Sequence, residues 1–201
     1  MRTMRRRTFL CSATAAVGGG GLIISLWPFL DQMNPDAKVR AAGDIVEVSI
    51  VDLRPAQQRI VRWHGWLISI VKRTTKMLEA MQDQKLSGMF RDPLSEGRQQ
   101  PSYAKNWYRS IKPEYAVLVG VCTYCRCIPH YFADEPSQPD MAGGYVCPCC
   151  ASRFDPAGRV YYGPAQFNLP VPPYDLDGQS RIRIGRNASD ALFSIETIEQ
   201  I

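Results

Sequence analysis

Acidic residues are missing from the start of this 201-residue chain. Residues 1–30 contain four arginines and no Asp or Glu, and residues 8–30 carry no charged side chain at all. The rest of the chain holds 20 basic against 19 acidic residues, so the net charge of +5 comes almost wholly from the N-terminus. Nucleic-acid binding needs a clustered basic face. The charge distribution therefore argues against a nucleic-acid partner and indicates a targeting and membrane-topology signal.

Histidine is also scarce, since His64 and His130 are the only two. His64 and Gly65 lie between two β-branched and aromatic runs, a pattern typical of a β-hairpin turn, so we expect the His64 side chain at the surface. His130 follows the first group of cysteines and is a candidate metal ligand by position. No second histidine could pair with it from the other group, so we do not expect histidine in the site.

Cysteine, by contrast, is concentrated in two short segments that contain six of the seven cysteines. One segment contains the CxxC pair Cys122 and Cys125, and the other contains Cys147 and Cys150. Two facing loops with two thiolates each can form a tetrahedral site for zinc or iron, or hold an iron–sulfur cluster. Structural disulfides are the alternative, but they usually close separate loops. No βαβ pattern surrounds the pairs, which argues against thioredoxin-like chemistry.

The uncharged N-terminal run is 23 residues long, and about 20 suffice to span a bilayer. The arginines before it would stay on the cytoplasmic side, and Trp27 suits the far interface. Residues 6–10, R-R-T-F-L, resemble a twin-arginine export signal. A cleaved signal peptide with a late cleavage site at 39–41 is the alternative, but the run is longer than a usual signal core. We predict a retained anchor over residues 1–30.

The two cysteine segments, C-T-Y-C-R-C and C-P-C-C-A-S-R-F-D, resemble the cluster loops of Rieske iron–sulfur proteins. Those loops read C-T-H-x-G-C and C-P-C-H-G-S-x-Y-D. In that family the first Cys and the His of each loop hold a 2Fe–2S cluster, and the remaining two cysteines form a disulfide. The resemblance implies that Cys122 and Cys147 bind the cluster and that Cys127 and Cys149 form the disulfide.

The two histidine positions of the family pattern are occupied here by Tyr124 and Cys150. Three ligand sets remain for the second half of the site: Cys125 with Cys150, a Tyr124 phenolate with Cys150, or an incomplete site. We prefer the first, which gives the metal set Cys122, Cys125, Cys147 and Cys150. It permits an all-cysteine 2Fe–2S cluster or a single Fe or Zn ion, since the 21 residues between the pairs approach the spacing of zinc ribbons.

Four further residues are expected beside the centre. Ser152 matches the family pattern, whereas Phe154 replaces a tyrosine that in the family donates a hydrogen bond toward the cluster sulfurs. Arg126 stands at a family glycine, and Arg153 lies between Ser152 and Phe154. We expect both arginines to offset the charge of an all-thiolate centre.

The resemblance extends outside the loops. Residues 27–36, W-P-F-L-D-Q-M-N-P-D, are similar to the end of the anchor in Rieske subunits of quinol–cytochrome c reductases, and residues 158–174 resemble the family's proline loop, with Gln166 at a usual proline. The fold implied is mostly β: a transmembrane helix, a hinge at 31–44 and a Rieske-type all-β head at 45–201. A small cluster-binding subdomain, similar to rubredoxin or a zinc ribbon, is expected at about 119–174.

The function implied by the resemblance is electron transfer in a quinol–cytochrome c reductase, an oxidoreductase and translocase. Electrons would pass from quinol at cytochrome b to a c-type cytochrome, with the chain anchored in the bacterial inner membrane and its head in the periplasm. The alternative is a divergent Rieske relative in which four cysteines hold zinc, iron or a low-potential 2Fe–2S cluster. That relative would have a structural or different electron-carrier role.

Overall fold

The computed structural model describes residues 6–32, 45–82, 88–133, 142–178, 180–186 and 193–199. The chain divides into two units, residues 1–41 and 42–201. The first unit is described by its helix, and the second is built mainly from β-strands. Most of the hinge expected at 31–44 lies outside the described residues.

In the N-terminal unit the described residues form one helix, α1 (Arg6–Gln32), which is 27 residues long. At a rise of 1.5 Å per residue it measures about 40 Å, more than the roughly 30 Å hydrocarbon layer of a bilayer. The hydroxyls of Ser12, Thr14 and Ser25 donate to carbonyls three or four residues earlier, so these polar groups need no water. Among the described residues it is the one helix long and apolar enough to cross a membrane.

The head contains ten strands and one short α-helix among the described residues. The elements are β1 Val46–Ser49, β2 Gln58–Trp63, β3 Trp66–Lys72, α2 Thr75–Met81, β4 Tyr115–Val119, β5 His130–Phe132, β6 Gly144–Val146, β7 Arg153–Phe154, β8 Val160–Tyr162, β9 Tyr174–Asp177 and β10 Arg181–Ile184. The strands form three antiparallel sheets with the orders β1-β10-β9, β2-β3-β4 and β5-β6-β7-β8, which confirms the mostly β fold.

The β2–β3 hairpin forms where the sequence predicts it. His64 and Gly65 have φ angles of +49° and +78°, as a two-residue turn of the primed type requires. Strand β3 then pairs with β4, whose residues 116–119 are completely buried. These near-continuous apolar runs form the core because both faces of the strands are covered. Strand β4 ends at Val119, three residues before Cys122, so the core positions the first cysteine segment.

A buried ion pair holds the turn between β7 and β8, directly after the second cysteine segment. Asp155 Oδ2 lies 2.7 Å from Arg159 Nη2, and both side chains are almost fully buried. Asp155 Oδ1 accepts the backbone N–H groups of Ala157 and Arg159 at 3.0 and 2.7 Å. The Arg159 guanidinium also lies over the ring of Phe90, 4.0 Å from its centroid. Since its polar atoms are paired, this charged turn is compatible with the surrounding core.

Candidate metal centre

The first cysteine segment folds into a tight turn that we call the first knuckle, residues 122–127. The N–H of Cys122 donates to the carbonyl of Cys127 at 2.8 Å, and the N–H of Arg126 donates back to the carbonyl of Cys122 at 2.9 Å. Arg126 has a φ angle of +60°, a conformation that glycine adopts more easily than any other residue. The turn therefore keeps the backbone shape that the glycine of the resembled pattern would allow.

The second segment, residues 147–152, forms a second knuckle with the same hydrogen bonds. The N–H of Cys147 donates to the carbonyl of Ser152 at 2.8 Å, and that of Ala151 donates to the carbonyl of Cys147 at 2.9 Å. Ala151 has a φ angle of +56°. The two knuckles thus match position for position, and each directs its CxxC pair in the same way.

The four CxxC sulfurs converge between the knuckles. The Sγ atoms of Cys122, Cys125, Cys147 and Cys150 all lie within 4.8 Å of one another. Cys125 Sγ is 3.3 Å from Cys147 Sγ and 3.6 Å from Cys150 Sγ, and Cys122 Sγ is also 3.6 Å from Cys150 Sγ. Tyr124 is 56 % exposed. The structure thus brings together the four residues of the preferred set.

The two remaining cysteines of the segments are linked to each other. Cys127 and Cys149 form a disulfide with their Cα atoms 6.4 Å apart, so the disulfide implied by the resemblance is present. It joins residues 22 positions apart in the sequence and ties the first knuckle to the second. The disulfide therefore limits how far the four free sulfurs can separate.

The thiols differ in how easily they lose a proton. Burial raises the pKa of Cys147, which is also affected by the neighbouring Cys125 thiol, and burial likewise raises the pKa of Cys122. Burial also opposes ionisation of Cys150, but hydrogen bonds from Ser152 and from the neighbouring thiols outweigh it and lower its pKa to about 7. Of these three thiols, Cys150 is the one whose surroundings favour the thiolate, the form in which cysteine binds a metal ion.

A segment at residues 163–168, which we call the cover loop, is held against both knuckles. Ser152 Oγ lies 3.1 Å from Cys150 Sγ and accepts the N–H of Ala165 at 3.1 Å. Thr123 Oγ1 donates to the carbonyl of Phe167 at 2.7 Å. These bonds join the second knuckle and the first knuckle, respectively, to the same loop.

Arg91 holds the cover loop from its outer side, a role that the sequence analysis missed. Its guanidinium donates to Gln166 Oε1 at 2.7 Å and to the carbonyl of Gly163 at 2.6 Å. Arg91 is more than 70 residues away in the sequence, and nothing in its local pattern marks it. Gln166, which replaces a usual proline of the resembled loop, is thereby bound to a second segment.

The other residues expected near the centre take different positions. Phe154 is completely buried in β7. Arg153, also in β7, places its guanidinium over the ring of Tyr162, 5.9 Å from the centroid, and the Arg126 side chain is exposed. That the two arginines offset the charge of the centre stays a prediction. His130 lies in β5 with an exposed side chain.

The donor set decides which kind of centre the site fits. In the described part of the chain the group consists of four cysteines and contains no histidine. A Rieske centre requires two imidazoles on one iron, so its mixed ligand set does not fit. An all-thiolate centre of iron or zinc does fit. By fold and site, the head is a β domain with a two-knuckle, four-thiol centre, in a chain that begins with an apolar helix.

Comparisons with known proteins identify the family. A family model described as "Ubiquitinol-cytochrome C reductase Fe-S subunit TAT signal" matches residues 1–36. The chain is 43 % identical to the ubiquinol–cytochrome c reductase iron–sulfur subunit of Allochromatium vinosum over 194 residues, covering 94 % of this chain and 91 % of that one. It is 40 % identical to the subunit of the same name from Blastochloris viridis, covering 90 % and 92 %.

A solved structure titled "Hyperthermophilic respiratory Complex III" covers 85 % of this chain and 98 % of its own, with 22 % identity and a TM-score of 0.46. The sequence relatives are the stronger finding, because they match over nearly the whole length of both proteins. The chain belongs to the family of ubiquinol–cytochrome c reductase iron–sulfur subunits, the Rieske subunits.

Proposed function

We propose that this chain is the electron-transfer subunit of a membrane-bound ubiquinol–cytochrome c reductase, and that it carries its electron on an iron centre bound by four cysteines. The observation that carries the proposal is the convergence of four thiols within 4.8 Å, in a chain whose relatives are named iron–sulfur subunits. The electron would come from quinol at cytochrome b and pass to a c-type cytochrome.

The apolar helix near the N-terminus would anchor the chain in the membrane. Helix α1 would hold residues 1–30 in the bacterial inner membrane with the arginines on the cytoplasmic side, and the head from residue 45 onward would lie in the periplasm. Residues 31–44 would act as the hinge that lets the head approach its two partners. A periplasmic head is also compatible with the Cys127–Cys149 disulfide, because disulfides persist in that compartment.

The side chains around the centre have separable roles. Cys122, Cys125, Cys147 and Cys150 would hold the iron, which supplies the one-electron change. The Ser152 hydroxyl lies 3.1 Å from Cys150 Sγ and would donate a hydrogen bond to that sulfur once it is bound as thiolate. The cover loop and the disulfide keep the two knuckles together. The four-thiol group of the described residues contains no imidazole, the group that changes its charge near neutral pH in a histidine-ligated centre.

Replacing two imidazoles by thiolates lowers the reduction potential of an iron centre. Thiolates carry negative charge and stabilise the oxidised iron, so the potential should lie well below that of a histidine-ligated Rieske centre. We therefore expect quinol to reduce this centre only while the next cytochrome keeps it oxidised.

The test compares two cysteine variants of the full chain in its own membranes. Cys150→Ser removes a thiol of the centre, whereas Cys11→Ser removes the exposed cysteine in α1 and serves as the control. We expect Cys150→Ser to abolish quinol-dependent reduction of cytochrome c and Cys11→Ser to leave it near the wild-type rate. Full activity in Cys150→Ser, with normal amounts of protein in the membrane, would exclude the proposed role of the centre.

A further inference from the structure

We infer that the four cysteines bind one iron ion, as a mononuclear tetrathiolate site, and not a two-iron cluster. The inference deepens the proposed function, on which it rests for the choice of iron over zinc. It concerns the number of metal ions in the site, which the family relationship does not decide once the two histidines of the pattern are replaced by Tyr124 and Cys150.

The sulfur–sulfur distances match the edges of a tetrahedron around one ion. With metal–sulfur bonds of about 2.3 Å, neighbouring sulfurs of a tetrahedral site lie about 3.8 Å apart. The Cys125–Cys147, Cys125–Cys150 and Cys122–Cys150 sulfur distances are 3.3, 3.6 and 3.6 Å. Every other pair lies within 4.8 Å.

A two-iron cluster requires a different arrangement. Its four thiolates divide into two pairs, one on each iron, and the irons with their bridging sulfides separate the pairs. The sulfur–sulfur distances between the two pairs must then all be longer than the distance between the two thiolates on one iron.

No division of the four sulfurs meets that requirement. Pairing the cysteines within each knuckle leaves Cys125 Sγ only 3.3 Å from Cys147 Sγ across the division. Pairing Cys122 with Cys147 leaves the same short contact, and pairing Cys122 with Cys150 leaves Cys125 Sγ 3.6 Å from Cys150 Sγ. In every division, at least one sulfur assigned to one iron lies as close to a sulfur of the other iron as two sulfurs bound to a single ion would lie.

The two knuckles are held together around the four sulfurs by a disulfide, which the resembled family shares, and by the cover loop. The Cys127–Cys149 disulfide joins the knuckles with its Cα atoms 6.4 Å apart. The cover loop adds two further restraints, through Thr123 to one knuckle and through Ser152 to the other. Cysteine also has a shorter reach than histidine, whose ring nitrogens lie further from the backbone. The family's histidine positions hold Tyr124 and Cys150 here, so with Cys125 and Cys150 as the outer donors it is the shorter cysteine side chains that draw the four donors toward one point.

The experiment counts metal and sulfide in the full chain, purified in mild detergent from iron-replete cells. We expect one iron per chain, no acid-labile sulfide, and a high-spin ferric EPR signal in the oxidised protein. Two irons with two sulfides would overturn the inference while leaving electron transfer in place. One zinc without iron would overturn the choice of iron and, with it, the proposed electron transfer.

A pair of neighbouring variants tests which residues bind the ion. Cys125→Ser should lose the bound metal and the EPR signal, whereas Tyr124→Phe, a matched change one position earlier, should keep both. Retention of metal in Cys125→Ser together with its loss in Tyr124→Phe would overturn the four-cysteine assignment. If Cys125→Ser does not accumulate, Tyr124→Phe alone still decides whether the phenol hydroxyl is a ligand, because it removes only that group.

Discussion

Gly163 offers the sharpest test of how the cover loop contacts the second knuckle. Its φ angle is +94°, and a Cβ added there would lie 2.5 Å from Ser152 Cα, 2.8 Å from Ser152 Oγ and 2.9 Å from Ser152 N. Two of these atoms are backbone and cannot move aside by a side-chain rotation. Gly163→Ala should therefore push the cover loop away from Ser152 by about 1 Å to restore ordinary contact.

The loss of stability expected for Gly163→Ala has two parts. A non-glycine residue at positive φ costs about 1–2 kcal/mol, and forcing an extra methyl group into a packed contact costs about 1–3 kcal/mol. Gly163→Ala should thus lower the free energy of unfolding by about 2–5 kcal/mol. Gly65→Ala is the matched control, because Gly65 has a φ of +78° and open space around its Cβ position. It should show only the conformational cost of about 1–2 kcal/mol.

The two variants can be compared by urea unfolding of the full chain in detergent, followed by circular dichroism, with the absorption of the metal centre as a second signal. Moving the cover loop away removes the hydrogen bond from Ala165 N–H to Ser152 Oγ and so changes the surroundings of the hydroxyl that lies 3.1 Å from Cys150 Sγ. The spectrum should therefore change in Gly163→Ala and not in Gly65→Ala. Equal destabilisation by both variants, with unchanged spectra, would refute the close approach of the cover loop to the knuckle.

Three more predictions concern the core, the turn after the second knuckle and the cover loop. Burial raises the pKa of Tyr145 to about 12, so the stability that the neutral phenol contributes is present below its ordinary pKa near 10 and is lost as the pH rises toward 12. Tyr145→Phe should lower the free energy of unfolding by about 1 kcal/mol at pH 7 but lose less stability than the wild type at alkaline pH. An unchanged pH profile in urea unfolding would contradict this. Asp155→Asn should lower the free energy of unfolding in urea by about 3–5 kcal/mol, because Arg159 then stays buried without its countercharge. The control Asp52→Asn, in an exposed pair, should have little effect. Similar losses of stability in both variants would be evidence against the buried pair. Arg91→Gln should speed amide hydrogen exchange in the cover loop without affecting the β3–β4 amides, and unchanged exchange would mean that Arg91 does not hold the loop.

Much of the architecture could be predicted because it depends on neighbours in the sequence. The hairpin at 64–65 follows from the turn residues between two β-branched runs, and both turn residues have the expected positive φ. Helix α2 buries Met77 and Met81, which lie four residues apart and therefore on one face of the helix. The helix α1 extends to Gln32, two residues into the predicted hinge.

The ligand set could be predicted only as a choice between alternatives. Tyr124 and Cys125 are adjacent, and either could supply a donor by chemistry alone. What decides between them is the direction of each side chain within the knuckle, and that direction depends on the hydrogen bonds that close the turn around Arg126. Those bonds leave the Tyr124 side chain largely exposed and place Cys125 Sγ beside Cys147 Sγ.

The sequence by itself determined the family, the apolar N-terminal helix, the strand-rich head and the two CxxC turns, because each depends on a local pattern of apolar, charged or turn-forming residues. Only the tertiary structure decided that four sulfurs converge within 4.8 Å, that Arg91 binds the cover loop, and that Ser152 contacts Cys150. Interactions such as the 3.3 Å contact between Cys125 and Cys147 Sγ join residues 22 positions apart. Their distances are set by how the core packs the sheets and orients both knuckles, which no local pattern specifies.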